Sequence, residues 1–158
     1  MTNTAVIYFS KHGTTAKVAS RIADALGSAT LINLKDTPRP DIAAFDAVAL
    51  GGPIYAGEPD KHVKTFIAAN AAALGALPLA LFVCGMEPDP AKRETEVASA
   101  FPETLRSHAV GAWFTGGEFQ FDKLSFIERA IVKKIVGVTE SVSAIDTDAI
   151  AALAAALS

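Results

Sequence analysis

The sequence has 158 residues, of which 51% are apolar and 20% are charged, and its formal net charge is −3. This length suits a single domain over residues 1–158, and the apolar content is enough for a buried core. The mildly acidic balance argues against generic nucleic-acid binding, which needs a basic surface. The single cysteine excludes an internal disulfide and a cysteine-rich metal site, and it fits a reducing compartment. No basic-then-apolar leader is visible, and the sequence has no run of roughly eighteen apolar residues, which is the length needed to span a bilayer. We therefore expect a cytoplasmic protein without a transmembrane segment.

Short apolar runs alternate with helical patterns along the chain. The predicted strands are residues 5–9, 30–34, 45–51, 77–84 and 110–115. The predicted helices, whose apolar residues recur at helical spacing, are 15–26, 60–70, 91–100, 122–138 and 146–157. This alternation predicts a parallel sheet with helices on both faces. Ligands of such sheets bind at the carboxyl ends of strands where the strand order reverses, so we expect the loops after the first, third and fourth strands to lie together.

The first of these loops, residues 10–15, links an apolar strand to a helix start. Free backbone N–H groups and the positive end of a helix suit such a loop to bind a phosphate. The loop matches neither the Walker A motif nor the Gly-x-Gly-x-x-Gly motif, because it has hydroxyl groups where those have glycines. Taken alone, an ordinary turn with Thr14 or Thr15 as the helix N-cap is the alternative. The candidate phosphate-binding residues are Ser10, Lys11, His12, Gly13, Thr14 and Thr15.

The same stretch resembles the N-terminal signature of flavodoxins. Residues 6–15 read Val-Ile-Tyr-Phe-Ser-Lys-His-Gly-Thr-Thr, are continued by Ala19 and Ile22, and match that pattern at every specified position. The resemblance implies a flavodoxin-like α/β three-layer sandwich, with a five-stranded parallel sheet in the order 2-1-3-4-5. It also implies that the cofactor is FMN, bound noncovalently, and that residues 10–15 bind the FMN phosphate.

The loops after the third and fourth strands have features that suit a flavin ring. Pro53 stiffens the exit of the third strand, Tyr55 offers an aromatic face, and Gly57 permits a tight backbone path, although the same residues are also typical of an ordinary turn. The resemblance implies that this loop flanks the isoalloxazine near its N5 atom. Backbone N–H groups of the next loop would bond the carbonyl edge of the ring. The predicted cofactor-binding residues of the two loops are Pro53, Ile54, Tyr55, Ala56, Gly57, Cys84, Gly85, Met86 and Glu87.

No catalytic side chain is predicted, since the chemistry would belong to the flavin. The histidines lack metal-ligand spacing and no Ser-His-Asp arrangement is visible, which argues against a metal site and a hydrolase. Cys84 ends an apolar strand and is interpreted as a structural thiol. Glu58, Glu87 and Asp89 would place negative charge near the flavin and lower its potential, or they are solvated surface groups.

An extra amphipathic helix is predicted at residues 122–138, between the fifth strand and the last helix. This segment resembles the inserted basic helix of flavodoxin-like protoporphyrinogen IX dehydrogenases, which oxidise protoporphyrinogen and pass electrons to a quinone. The resemblance implies an FMN-dependent oxidoreductase with a porphyrinogen or quinone substrate. Its basic residues could bind porphyrin propionates or an anionic membrane surface, or they form the solvated face of the helix. The alternatives are a nonenzymatic carrier that exchanges electrons with redox partner proteins and an NAD(P)H-quinone reductase.

Overall fold

The structure is a computed structural model that describes residues 3–10, 13–55, 58–85, 89–119, 142–143 and 145–158. Residues 55, 58–59, 118–119 and 142–143 are described by their backbone alone. The predicted helix at 122–138 lies outside the described residues, as do Lys11, His12, Ala56, Gly57, Met86 and Glu87.

Five parallel strands form the central sheet, in the order β2-β1-β3-β4-β5. They are β1 (Thr4–Tyr8), β2 (Thr30–Asn33), β3 (Ala47–Tyr55), β4 (Leu79–Cys84) and β5 (Gly111–Gly116). The flavodoxin-like strand order 2-1-3-4-5 is therefore confirmed. Two short antiparallel pairings lie outside this parallel set: Glu58–Pro59 pairs with the end of β3, and Glu118–Phe119 pairs with Val142–Ser143.

Helices cover both faces of the sheet, as the alternating pattern predicts. The α-helices are α1 (Thr14–Leu26), α2 (Lys61–Leu74), α3 (Pro90–Ala100), α4 (Glu103–His108) and α5 (Thr147–Leu157), and Ile42–Ala44 is a 3-10 turn. Asp60, Asp89 and Asp146 are the N-caps of α2, α3 and α5, each accepting backbone N–H groups of the first turn. The sequence did not predict α4 or the 3-10 turn, because segments this short carry too few residues to show a helical period.

Alternation along the strands divides the core into two apolar clusters, one on each face of the sheet. Ala5 and Ile7 of β1 pack into the cluster that α2, α3 and α4 cover, whereas Val6 packs into the one that α1 and α5 cover. Strand β4 is buried at every position, as its continuous apolar sequence predicts for a strand covered on both faces. The described helices include none that is both long and apolar enough to cross a membrane.

Strand β3 is longer than the sequence predicts, running to Tyr55 rather than ending at residue 51. Its additional residues stay in the ladder because Gly52 pairs with Val83 and Pro53 pairs with Cys84. The two glycines leave room for a close neighbour in the adjacent strand and for another in α2. A Cβ on Gly51 would lie 2.4 Å from ring atoms of Phe82, and one on Gly52 would lie 2.7 Å from Val63 Cγ2. The Gly-Gly-Pro sequence therefore continues the strand instead of breaking it.

Candidate cofactor site

The carboxyl ends of β1, β3 and β4 lie side by side at one edge of the sheet. The register sets Tyr8 opposite Gly51 and Pro53 opposite Cys84. The chain therefore leaves these three strands on the same side, and β1 and β4 are separated only by β3. Because β1 is flanked by β2 and β3, this edge contains the point where the strand order reverses, which is where open α/β sheets bind ligands.

The loop after β1 is held by a hydrogen bond between its two ends. Ser10 is 6% exposed, and its hydroxyl accepts a hydrogen bond of 2.9 Å from the backbone N–H of Gly13. Gly13 has φ 88°, a left-handed conformation that glycine adopts without strain, and its carbonyl accepts from Lys17 N at 3.0 Å. Gly13 is thus the N-cap of α1, in place of the threonine N-cap that was the alternative for this turn.

The start of α1 fits an anionic group. No side chain of the described residues caps this helix, and its first turn contains no acidic residue. The positive end of the helix dipole is therefore not neutralised by a carboxylate of that turn. The hydroxyl of Ser10 still has its proton to donate while it accepts from Gly13. A phosphate at this place would meet backbone N–H groups and hydroxyl donors, which suits the phosphate of FMN.

Thr14 and Thr15 occupy different environments. Thr14 is half-buried, and its Cγ2 would lie 3.6 Å from a Cβ on Gly117, so the chain after β5 passes beside the start of α1. Thr15 is only 2% exposed, and its side chain hydrogen-bonds to Cys84 at the end of β4. The hydroxyl of Thr15 therefore faces the sheet, and its backbone N–H is the group that remains for a ligand. The predicted role of each threonine in phosphate binding stays a prediction.

Cys84 belongs to a buried hydrogen-bonded group that joins α1, β4 and β5. Its Sγ is 3.4 Å from Thr115 Oγ1, and that hydroxyl also donates to the carbonyl of Val83 at 3.1 Å. Burial raises the pKa of the Cys84 thiol to about 11, against smaller lowering effects of the hydrogen bonds with Thr115 and Thr15. A buried, neutral thiol is a poor nucleophile, which agrees with its interpretation as a structural residue.

The loops after β3 and β4 start at this same edge. Pro53 and Ile54 are half-buried, and the backbone of β3 folds back at once, with Ile54 paired to Pro59 and Tyr55 paired to Glu58. The backbone N–H of Gly85 donates to the carbonyl of Gly116 at 3.0 Å, so the loop after β4 is tied to the end of β5. Asp89 is one of the acidic residues predicted to lie near the flavin, and its carboxylate accepts a hydrogen bond from Ala91 N at the start of α3. The remaining predicted residues of these loops lie outside the described residues.

Two groups at this edge were not predicted as part of the site. The ring of His62 stacks on Phe9 with centroids 4.0 Å apart, and its Nδ1 is 3.3 Å from the buried carboxylate of Asp60. Phe9 directly precedes Ser10, so this stack supports the base of the loop. The Asp-x-His spacing before a helix is visible in the sequence, but only the fold brings His62 to Phe9. The second group is Gly116 and Gly117, which contact the loops after β4 and β1.

No cluster of metal-ligating side chains occurs among the residues that the structure describes. The site is instead built from backbone groups, hydroxyls and short loops. Its geometry suits a phosphorylated organic cofactor whose phosphate lies at α1 and whose larger part lies along the carboxyl ends of β3 and β4.

Comparisons with known proteins agree with this geometry. The sequence matches the family model described as the flavodoxin domain over residues 5–146. A search of curated protein sequences finds no significant match.

Solved structures of similar fold cover most of the chain. An NADH:FMN oxidoreductase in its apo form has a TM-score of 0.61 at 16% identity, and the alignment covers 100% of this chain and 91% of the oxidoreductase chain. A short-chain flavodoxin associated with a bacterial microcompartment has a TM-score of 0.59 at 14% identity, with coverages of 99% and 97%. A flavoprotein from Lactobacillus acidophilus in complex with FMN has a TM-score of 0.50 at 16% identity, with coverages of 73% and 91%.

Proposed function

Because this chain belongs to the flavodoxin-domain family, we propose that it is an FMN-dependent oxidoreductase of flavodoxin type. FMN is the cofactor that the family and the FMN-bound neighbour support. When bound, FMN supplies the ability to accept and donate electrons. The protein's part is to hold the cofactor, orient it and control what reaches it.

The observation that carries the proposal is the arrangement of N–H and hydroxyl groups at the start of α1. The N–H of Gly13 is directed to Ser10, no described side chain caps the helix, and no acid of the first turn competes with an anion. A dinucleotide site would use glycines along the loop, whereas this loop offers hydroxyl groups to a terminal phosphate. A monophosphate such as that of FMN is the ligand that these groups match best.

The three loops take different roles in this proposal. The loop after β1 would hold the phosphate, the loop after β3 would hold the flavin ring near N5, and the loop after β4 would bind the carbonyl edge of the ring. The phosphate-binding residues proposed are Ser10, Lys11, His12, Gly13, Thr14 and Thr15. The ring-binding residues proposed are Pro53, Ile54, Tyr55, Ala56, Gly57, Cys84, Gly85, Met86 and Glu87.

The second candidate function is a nonenzymatic electron carrier. The similarity to a short-chain flavodoxin over almost the full length of both chains favours it. A carrier exchanges electrons with protein partners, whereas an oxidoreductase turns over a small substrate.

An anaerobic experiment separates the two functions. The reduced protein is mixed with a quinone and, in a parallel series, with an oxidised redox protein, and flavin absorbance is followed. Reoxidation by the quinone that saturates with its concentration supports the oxidoreductase. Fast exchange with the redox protein and none with the quinone would favour the carrier.

The oxidation of protoporphyrinogen IX is a narrower proposal. It depends on the sequence of residues 122–138, which lie outside the described residues. Its test is anaerobic mixing of the oxidised protein with protoporphyrinogen, where bleaching of the flavin and formation of protoporphyrin are expected together. A flavin that remains oxidised would exclude this substrate and leave the broader proposal intact.

A further inference from the structure

A groove on the α2–α4 face of the sheet lies beside the loop after β4. It has a volume of about 350 Å³, which falls in the lower part of the range of roughly 300 to 1,000 Å³ that is typical of small-molecule pockets. Its lining comes from α3, α4 and the outer strand β5. The residues that line it are Arg93, Glu94, Val97, Ala98, Arg106, Ala112 and Phe114.

The groove combines an apolar floor with positive charge. Val97, Ala112 and Phe114 are half-buried and pack against the core, so the floor is fixed by the fold. The guanidinium of Arg93 lies over the Phe114 ring, 4.9 Å from its centroid. Two arginines against one glutamate give the lining a net positive charge, although the protein as a whole has a formal net charge of −3.

Arg106 is positioned to bind an anion. Its Nε donates a hydrogen bond of 3.1 Å to the carbonyl of Phe101, which fixes the guanidinium beside the junction between α3 and α4. This is the only hydrogen bond of the guanidinium to the residues that the structure describes, so the two terminal nitrogens remain for a ligand. A planar guanidinium held by one nitrogen is suited to a carboxylate or sulfonate, which it can bind through two parallel hydrogen bonds.

The groove reaches the predicted cofactor site through Phe114. A Cβ on Gly85 would lie 3.2 Å from Phe114 Cζ, so the ring packs directly under the loop after β4. The carboxylate of Glu96 is on the same side, 3.6 Å from that Cβ position. The end of the groove next to Gly85 therefore has an aromatic ring and a negative charge. Because that charge disfavours an anion there, the group that would bind an anion is Arg106.

We propose that this groove binds a small apolar molecule that carries one carboxylate or sulfonate group, with the apolar body on Phe114 and the anionic group at Arg106. Its use as a substrate site rests on the proposed oxidoreductase function, since only then does a reacting group lie beyond Gly85. The binding itself does not depend on the cofactor. The proposal favours an anionic substrate over a neutral one of the same shape.

Titration calorimetry of the full-length protein with 2-naphthoate and with neutral 2-naphthamide tests the binding. We expect 2-naphthoate to bind more tightly than the amide, and Arg106→Gln to weaken 2-naphthoate by roughly tenfold or more without changing the amide. Arg93→Gln leaves the bond from Arg106 to Phe101 intact and is expected to weaken both ligands, because it removes the cation over the ring. Lys92→Gln is the control, since it removes the same charge from an exposed neighbouring position of α3.

Several results would overturn the proposal: no binding of 2-naphthoate, equal affinity for the amide, or an equal loss in the Lys92→Gln variant. Repeating the titration with and without bound FMN keeps the two proposals apart. A protein that fails to bind FMN but binds 2-naphthoate through Arg106 supports the groove while contradicting the cofactor proposal. A protein that binds FMN but ignores the naphthoate contradicts the groove alone.

Discussion

Replacing Gly13 with alanine tests whether the backbone at the start of α1 holds the phosphate. Gly13 and Gly27 flank the same helix with nearly equal φ angles, 88° and 89°. Alanine in this left-handed region costs about 1 to 2 kcal/mol. A Cβ on Gly27 would meet no atom within 4 Å, so Gly27→Ala adds the strain alone and is a matched control.

Both variants are expected to lose about 1 to 2 kcal/mol of unfolding free energy, which lowers the melting temperature of a chain of this size by roughly 2 to 8 °C. Only Gly13→Ala should also change phosphate binding. The strain moves the neighbouring N–H groups of the first turn away from the ligand, and it also disturbs Ser10, whose hydroxyl accepts the N–H of Gly13. Since one hydrogen bond to a charged group contributes about 1.5 to 3 kcal/mol, the loss of one weakens FMN by roughly tenfold or more.

The assay is fluorescence titration of the flavin-free protein with FMN and with riboflavin, which lacks the phosphate. For Gly13→Ala we expect a large loss of FMN affinity and a small loss for riboflavin, and for Gly27→Ala no change in the ratio of the two. The reasoning would be refuted by an equal loss of both flavins in Gly13→Ala, or by the same change of ratio in both variants.

Further predictions concern the two threonines, the close packing at β3 and the buried thiol. Thr14→Ala should lower the affinity for FMN relative to riboflavin, whereas Thr15→Val should lower the melting temperature and leave that ratio unchanged; the reverse result in the same titrations would contradict the contact of Thr15 with Cys84. Gly51→Ala brings a Cβ to 2.4 Å from ring atoms of Phe82 and should destabilise the fold by about 1 to 3 kcal/mol, with partial recovery on adding Phe82→Leu; an unchanged denaturation midpoint would argue against this packing. Iodoacetamide at pH 8 should modify Cys84 slowly in the folded protein and rapidly in urea, and rapid labelling without urea would show that the thiol is not buried. Because the pKa of Cys84 rises from 9.0 to about 11 on folding, its stabilising effect is complete below pH 9 and is lost between about pH 9 and 11, so Cys84→Ala should weaken the alkaline decline of stability.

The sequence predicts the arrangement of strands and helices because its apolar runs are short and regularly spaced. The continuous apolar run of β4 correctly indicates a strand that is buried on both faces. The helical pattern predicts that Asp60 and Asp146 are the first residues of α2 and α5, whereas the structure shows them as the N-caps of these helices. The predicted end of β3 at residue 51 is wrong because Gly52 and Pro53 are typical of turns, whereas in the fold they stay in the strand by pairing with Val83 and Cys84 of β4.

The candidate site was predictable only in part. The loop after β1 can be identified as a candidate from the sequence because its hydroxyl and backbone N–H groups are close along the chain. The contacts between loops are not visible, since they join residues far apart in sequence. Examples are the hydrogen bond from Gly85 to Gly116 and the stack of His62 on Phe9. The groove at Arg106 was likewise missed, because α4 is a short helix without a recognisable pattern.

The identity of the bound cofactor tests the central claim most directly. The purified protein is denatured, and the released flavin is identified by chromatography and mass spectrometry; protein isolated without flavin is first titrated with FMN. The account predicts a yellow protein that releases about one FMN per chain, or that binds one FMN tightly on titration. A colourless protein that binds no FMN would contradict it.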